Sequence, residues 1–304
     1  MTKKRMALGC GALVLITVLI VAAVVWAKFP ERVEGDYFDS GGVRIHYTDE
    51  GTGTPVVLVH GLAANIDQQW RSCGIIDALA QDYHVVALDT RGHGLSDKPH
   101  DAAQYGMNMV EDVIRLMDHL EIEKAHVVGY SMGGLITIKL LTTHTERLLS
   151  AAPCGMGWEP LTDENRAMAE EVAKALDDCE GFGPLGKKLG LDDGKPHRTK
   201  RLILKLALTF LVDNEALAAV VRAIPQLAVQ EAQLRANKLP ILNMVGSKDG
   251  LRPICEKLAE VTPNCEQLII EGKDHMTTPG APAFIERLQT FLAKHTPKPP
   301  ESTS

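Results

Sequence analysis

The sequence predicts an α/β fold: a mostly parallel central sheet with helices on both faces, a helical insertion late in the chain, and an amino-terminal transmembrane helix. Three observations carry this. Short β-branched runs alternate with helical periodicity from Tyr37 to Ala152, and again from Pro240 to Leu292. Between Cys154 and Ala236 only helical periodicity remains. At Gly129-Tyr130-Ser131-Met132-Gly133, a strand-like run (Ala125-His126-Val127-Val128) and an apolar helical run (Gly134 to Leu141) bracket a G-x-S-x-G pattern.

The chain opens with Lys3-Lys4-Arg5, followed by an uncharged run from Met6 to Ala27. As a helix this run is about 33 Å long, against a hydrocarbon core of roughly 30 Å. A secretory signal has a shorter apolar region of roughly 7–15 residues. Residues 1–28 therefore read as an uncleaved membrane anchor. Cleavage after Val25-Trp26-Ala27, which would release a secreted protein, is the alternative. Leu8-Gly9-Cys10 precedes the apolar run instead of ending it, so it is not read as a lipoprotein box. Positive charge before the span places the amino terminus in the cytoplasm and everything after Lys28 on the far side.

After the anchor, Tyr37–Ser40 and Val43–Tyr47 flank Gly41-Gly42 and read as a β-hairpin. Thr54-Pro55 opens the buried strand Val56–Val59, which ends at His60-Gly61. A helix is expected around Gln69 to Ala80 and a strand over Tyr83–Leu88, followed by the loop Asp89 to Asp97. Met109, Val113, Leu116, Met117 and Leu120 share one helical face. Residues 154–236 read as a helical cap, with apolar faces on Met168/Val172/Ala175/Leu176, on Leu202/Ile203/Leu206/Ala207/Phe210, and on Leu217/Val220/Val221/Ile224 before Pro225. Gly181–Pro184 reads as a loop. The sheet resumes over Pro240–Val245 and Glu266–Ile270, and a last helix carries Phe284, Leu288, Phe291 and Leu292. The core thus comprises residues 29–153 and 237–295, and the tail 296–304 reads as disordered.

With 45% hydrophobic and 23% charged residues among 304, this is ordinary globular material. The formal net charge of −7 gives no basic excess for a nucleic-acid partner. The six cysteines lack metal-ligand spacing, and with Cys10 in the apolar run the rest are odd in number, so neither a metal site nor a disulfide framework is indicated.

A strand–turn–helix around Ser131 lifts its hydroxyl out of the backbone at the sheet's carboxyl end. The glycines two residues on either side leave room for strand and helix to meet. A serine hydroxyl needs a base to take its proton, and the base needs a carboxylate to fix its tautomer. Asp249 follows the strand Ile241–Val245, and His275 follows Gln267–Ile270, both in loops leaving strand carboxyl ends, where ligands bind in open α/β sheets. Asp274 competes for the acid role, but as a sequence neighbour of His275 its side chain should diverge from the imidazole. Asp89, Arg91 and His93 read as residues that tie down their own loop, and His60 likewise. Oxyanion donors are expected from the backbone N–H groups of Met132 and Leu62.

Together His60-Gly61, the Asp89-to-Asp97 loop, the Gly129-to-Gly133 elbow, Asp249 and His275 resemble the α/β-hydrolase superfamily, over roughly Tyr37 to His295. They resemble in particular its single-cap branch of esterases, lactonases, perhydrolases and monoacylglycerol-lipase-like enzymes. The resemblance implies a serine carboxylic-ester hydrolase using Ser131, His275 and Asp249, without metal or organic cofactor, acting on a small-molecule ester with an apolar acyl group. Epoxide hydrolases and haloalkane dehalogenases of this fold carry aspartate where Ser131 stands, and the former draw tyrosines from a cap that here has none. Carbon–carbon hydrolases and lactonases keep the serine triad and stay open, as does a non-catalytic, membrane-tethered binding protein on the same fold.

Met156, Trp158, Phe182 and Phe210 are the candidates for lining a substrate pocket, with core packing as the competing role for each. The stretch Lys195 to Val212 begins basic and turns apolar. It reads as a cap helix over the site, and as a candidate for touching the membrane interface.

Overall fold

A computed structural model describes residues 33–190 and 212–297. The anchor expected over residues 1–28, Phe210 and the stretch around it up to residue 211 lie outside these residues. Among the described residues no helix is long and apolar enough to cross a membrane.

The Gly41-Gly42 turn, with φ of 67° and 86°, joins antiparallel strands β1 (Asp36–Asp39) and β2 (Arg44–Glu50). Strands β3 (Thr54–Val59), β4 (Tyr83–Leu88), β5 (Ala125–Tyr130), β6 (Leu148–Cys154), β7 (Ile241–Gly246) and β8 (Cys265–Ile270) follow. They form one eight-stranded sheet in the order β1-β2-β4-β3-β5-β6-β7-β8. The pairings from β4 to β8 are parallel, and β1 and β2 extend the β4 edge antiparallel. Every residue of β5 is buried, as expected of an interior strand covered on both faces.

Strand alternation sorts the core into two layers. Val57, Val59 and Val127 face α2 (Met107–His119) and α3 (Met132–Thr143), whose Met109, Val113, Ile136 and Leu140 are fully buried. Val56, Leu58, Val128 and Tyr130 face the other way, onto α1 (Ile75–Leu79) and α9 (Pro282–His295), with Ile75, Leu79, Phe284 and Phe291. The cap contributes α4 (Asp163–Asp177), α5 (Gly183–Lys188), α6 (Asn214–Ala223) and α7 (Glu231–Arg235). Its α4 and α6 bury Val172, Ala173 and Leu176 against Leu217, Ala218 and Val221. A helix α8 (Arg252–Val261) lies between β7 and β8.

Three elements differ from the sequence reading. The helix expected over Gln69 to Ala80 is interrupted: a π-helical turn spans Asp67–Arg71, and Gly74 takes a left-handed φ of 73° before α1. Arg71 ties that turn to Glu50 at the end of β2, at 2.7 Å, and to Asp67, at 2.9 Å. Of the stretch read as a loop at Gly181–Pro184, Gly181 and Phe182 precede α5 and Gly183-Pro184 open it. Pro184 sits in the first turn, where its missing N–H has no intrahelical partner to lose. Ordered contacts also pass the expected core boundary at His295: the Thr296 hydroxyl donates to Leu292 O at 2.9 Å and lies 3.2 Å from His126 Nε2.

Candidate active site

The turn between β5 and α3 holds Ser131 at φ 55°, ψ −114°. A non-glycine residue pays roughly 1–3 kcal/mol for such a conformation, so the surroundings must over-determine it. They do. Ser131 N–H donates to Cys154 O at 2.9 Å. A Cβ on Gly129 would meet Gly133 O at 2.0 Å, and one on Gly133 would meet Val59 O at 1.9 Å. Only glycine at these two positions lets helix and strand approach closely enough to hold the turn.

Three of the sequence-predicted residues converge. Ser131 Oγ lies 2.9 Å from His275 Nε2, and His275 Nδ1 lies 2.8 Å from Asp249 Oδ2. With Nδ1 protonated it donates to the carboxylate, which leaves Nε2 as the acceptor for the serine hydroxyl. The second Asp249 oxygen, Oδ1, accepts from Leu251 N–H at 2.9 Å. The Asp249 and His275 side chains are 0% and 5% exposed. Ser131 is half-buried, and so is more accessible than its two buried partners.

Asp274 does not compete. Its Oδ1 accepts from Thr277 N–H at 2.9 Å, from Thr277 Oγ1 at 2.7 Å and from Met276 N–H at 3.1 Å. The side chain folds back on its own loop, and the Thr277 bonds outweigh partial burial to hold its carboxyl below the usual range.

Of the residues expected to supply oxyanion donors, Met132 follows the serine and Leu62 follows Gly61, which packs against it. Met132 begins α3, so its N–H has no partner four residues back in the helix. The loop after β3 brings Gly61 alongside: a Cβ there would lie 3.3 Å from Ser131 Cβ. The next residue is Leu62, and Ala63 has a left-handed φ of 57°. Leu62 N–H donates no hydrogen bond among the described residues. Of the four non-glycine residues with positive φ among the described residues, Ser131 lies at this site and Ala63 two residues after Gly61.

The loops behind are braced as the sequence suggests. His60 Nδ1–H donates to Gly61 O at 2.7 Å, and its Nε2 accepts from Thr90 N–H at 3.0 Å. Asp89 accepts from Ile66 N–H at 3.0 Å, Leu95 N–H at 2.8 Å and His46 Nδ1 at 2.9 Å. Burial raises the Asp89 pKa, but the His46 bond, His60 and these N–H groups outweigh it and hold the carboxyl at about 2. Burial, reinforced by His60, pushes His93 down to about 3, so it stays neutral. Arg91 grips Asp112 with two bonds, at 2.7 and 2.6 Å, in a nearly fully buried pair. Removing one partner of such a pair costs roughly 3–5 kcal/mol.

The sequence reading did not identify the clamp between the acid and base loops. Lys248 N–H donates to Lys273 O at 2.9 Å, and Gly272 N–H donates to Ser247 Oγ at 2.9 Å. Gly250 N–H reaches the cap, donating to Leu189 O just past α5 at 3.2 Å. Backbone pairings between distant loops leave no local signal, although the glycines at 246 and 250 mark where backbones approach.

Of the four pocket candidates, Trp158 is placed in packing. It is buried among Ile138, Val229, Leu234, Leu258 and Val261, and its indole N–H donates to Val229 O at 3.0 Å. Met156 packs against that cluster. Phe182 packs against the cap cluster between α4 and α6. Among the described residues no group of three or more His, Cys, Asp or Glu side chains could hold a metal ion.

Residues 54–177 match the family model for the alpha/beta hydrolase fold. The chain belongs to the α/β-hydrolase superfamily. This α/β-hydrolase is similar to the dihydrolipoyllysine-residue acetyltransferase component of the acetoin cleaving system. The Cupriavidus necator protein is 40% identical over 125 residues, covering 40% of this chain and 32% of that one. The Pseudomonas putida protein is 30% identical over 279 residues, covering 85% and 66%. The chain thus spans between about a third and two thirds of these two relatives. It is 27% identical over 270 residues to the pimeloyl-(acyl-carrier protein) methyl ester esterase of Aliivibrio fischeri strain MJ11, covering 83% and 98%. Among solved structures, MGS-M2, an α/β-hydrolase enzyme from a Medee basin deep-sea metagenome library, superposes with a TM-score of 0.72 at 16% identity, covering 88% and 100%. A membrane phospholipase A described as a bacterial virulence factor gives 0.65 at 23% identity, covering 95% and 96%. These two structural likenesses speak for the fold.

Proposed function

We propose that this α/β-hydrolase cleaves carboxylic esters through an acyl-enzyme on Ser131. The observation that carries the reading is the hydrogen-bonded line Ser131 Oγ–His275 Nε2, 2.9 Å, and His275 Nδ1–Asp249 Oδ2, 2.8 Å, at a strained strand-to-helix turn. As Oγ attacks the ester carbonyl carbon, its proton passes to His275 Nε2. The carbonyl electron pair moves onto oxygen, where the N–H groups of Leu62 and Met132 stabilise it. Asp249 keeps imidazole in the accepting tautomer and stabilises the imidazolium. Collapse breaks the ester C–O bond, with the His275 proton going to the leaving alkoxide. Water then repeats the sequence and releases the carboxylic acid and free Ser131.

An apolar acyl group suits the surroundings. Leu62 packs both against the core and against the cap cluster of Val172, Leu176, Leu217 and Val221, so the proposed oxyanion loop adjoins an apolar cap face. The methyl ester esterase relative is consistent with ester chemistry. A fluorophosphonate probe is expected to form a covalent adduct at Ser131. No adduct would favour a binding protein.

The location proposed is a single-pass membrane protein, anchored by residues 1–28, with the catalytic domain on the non-cytoplasmic side. Support comes from the charge-then-apolar pattern of Lys3-Lys4-Arg5 and the run Met6 to Ala27. In fractionated cells the full chain is expected in the membrane pellet, resistant to high salt, while a fragment beginning at Lys28 is expected in the supernatant. Equal distribution of the two would remove the anchor.

A further inference from the structure

We infer that Tyr130, directly before the proposed nucleophile, is a positioning residue that fixes His275 through the histidine's own backbone. The inference rests on the serine-hydrolase reading above. Tyr130 ends β5, and strand alternation sends its ring toward α9, where it meets Phe284 edge-to-face at 6.3 Å. Beyond that ring the hydroxyl donates to His275 O at 2.6 Å, in a buried bond. Among the described residues this is the hydrogen bond that the His275 carbonyl accepts. The phenol ring also lies 5.3 Å from the imidazole, tilted by 43°. Room for it is made by Gly155, at φ 57°, where a Cβ would fall 2.6 Å from Tyr130 Cζ.

The consequence is geometric. Ser131 directly follows Tyr130, the last residue of the fully buried β5, so a bond from Tyr130 to His275 measures the base loop against the nucleophile's own backbone. Two further bonds hold that loop to the acid loop, Lys248 N–H to Lys273 O and Gly272 N–H to Ser247 Oγ, and Asp274 and Thr278 tie it to itself. They fix His275 relative to Asp249 and leave the distance to Ser131 to the side-chain bond itself. Tyr130 supplies the missing constraint. Burial, with Asp249 nearby, raises its pKa well above the ordinary tyrosine value, so the hydroxyl stays a neutral donor throughout the working pH range. Deleting the hydroxyl leaves a buried carbonyl unpaired, which favours a shift of the loop toward other donors or water. A displacement of about 1 Å at a reacting group costs on the order of a hundredfold in rate.

Tyr130→Phe keeps the ring and removes only the donor. On p-nitrophenyl butyrate, kcat is expected to fall about ten- to a hundredfold with KM within about twofold. The rate of fluorophosphonate labelling at Ser131 should fall by the same factor, with labelling still going to completion. A side chain that only packs would lower the thermal midpoint but leave kcat and labelling rate per folded molecule at the wild-type value, and that result overturns the inference. If Tyr130→Phe does not fold, p-aminophenylalanine against p-methylphenylalanine at the same position compares a donor with a methyl group of similar size. Faster labelling with the amine supports the role, and equal rates overturn it. Failure of the parent reading looks different: the wild-type protein itself would then take no label at Ser131.

Discussion

Ser131→Ala is expected to abolish ester hydrolysis while leaving the protein folded. Kcat should fall by roughly 10⁶-fold, the size of effect seen when a serine nucleophile that acts as one unit with its base is removed. What remains would be the acceleration from the oxyanion donors and binding, roughly 10³–10⁴ over water. The fold should tolerate the change. The left-handed φ of 55° at position 131 costs alanine about what it costs serine, and the flanking glycines that make the turn possible are untouched. The lost interaction is one side-chain hydrogen bond to His275, which contributes about 1 kcal/mol. Thermal unfolding of the variant should therefore lie close to wild type. Hydrolysis within about tenfold of wild type would sink the proposed mechanism, because no other hydroxyl is bonded to His275 Nε2 among the described residues.

That Ser131 could be found at all in the sequence has a physical cause. The elbow is assembled from residues adjacent in the chain, so its constraints are local: a β-branched strand, two glycines that cannot carry a Cβ, and an apolar helix. The same holds for Asp249 and His275, each of which follows a short strand within a few residues, the fully buried β7 and the partly buried β8. Strand alternation was equally legible, since Val56/Leu58 and Val57/Val59 sort onto opposite faces by period alone.

What stayed hidden depends on partners far away in sequence. The break at Gly74 is held by Arg71 reaching Glu50, 21 residues earlier. Tyr130 reads as a core strand residue until its hydroxyl is seen to meet a carbonyl 145 residues later. Trp158 looks like a pocket aromatic from composition, yet the indole N–H partner that places it in packing, Val229 O, is 71 residues away. Helix α5 was obscured by its glycines and proline, which read as loop signals although Pro184 is tolerated in a first turn.

Asp249→Asn is expected to cost roughly 10⁴-fold in kcat, against little change for Asp274→Asn. Both residues are aspartates near His275, Asp274 as its direct neighbour in the chain. Geometry favours Asp249: its Oδ2 is 2.8 Å from His275 Nδ1, and its side chain is 0% exposed. An amide there can present its NH₂ to Nδ1, which stabilises the tautomer with the proton on Nε2. In that tautomer Nε2 can no longer accept the serine proton, and no carboxylate remains to stabilise the imidazolium. Asp274 instead caps its loop through Thr277 N–H and Met276 N–H, bonds that an asparagine carbonyl can also accept. Its loss of charge should cost a modest amount of loop stability and leave the His275–Asp249 bond intact. The two variants, measured side by side for kcat on one p-nitrophenyl ester and for thermal unfolding, separate the alternatives. A large loss in Asp274→Asn with near-normal turnover in Asp249→Asn would put the acid on the other loop and undo the assignment.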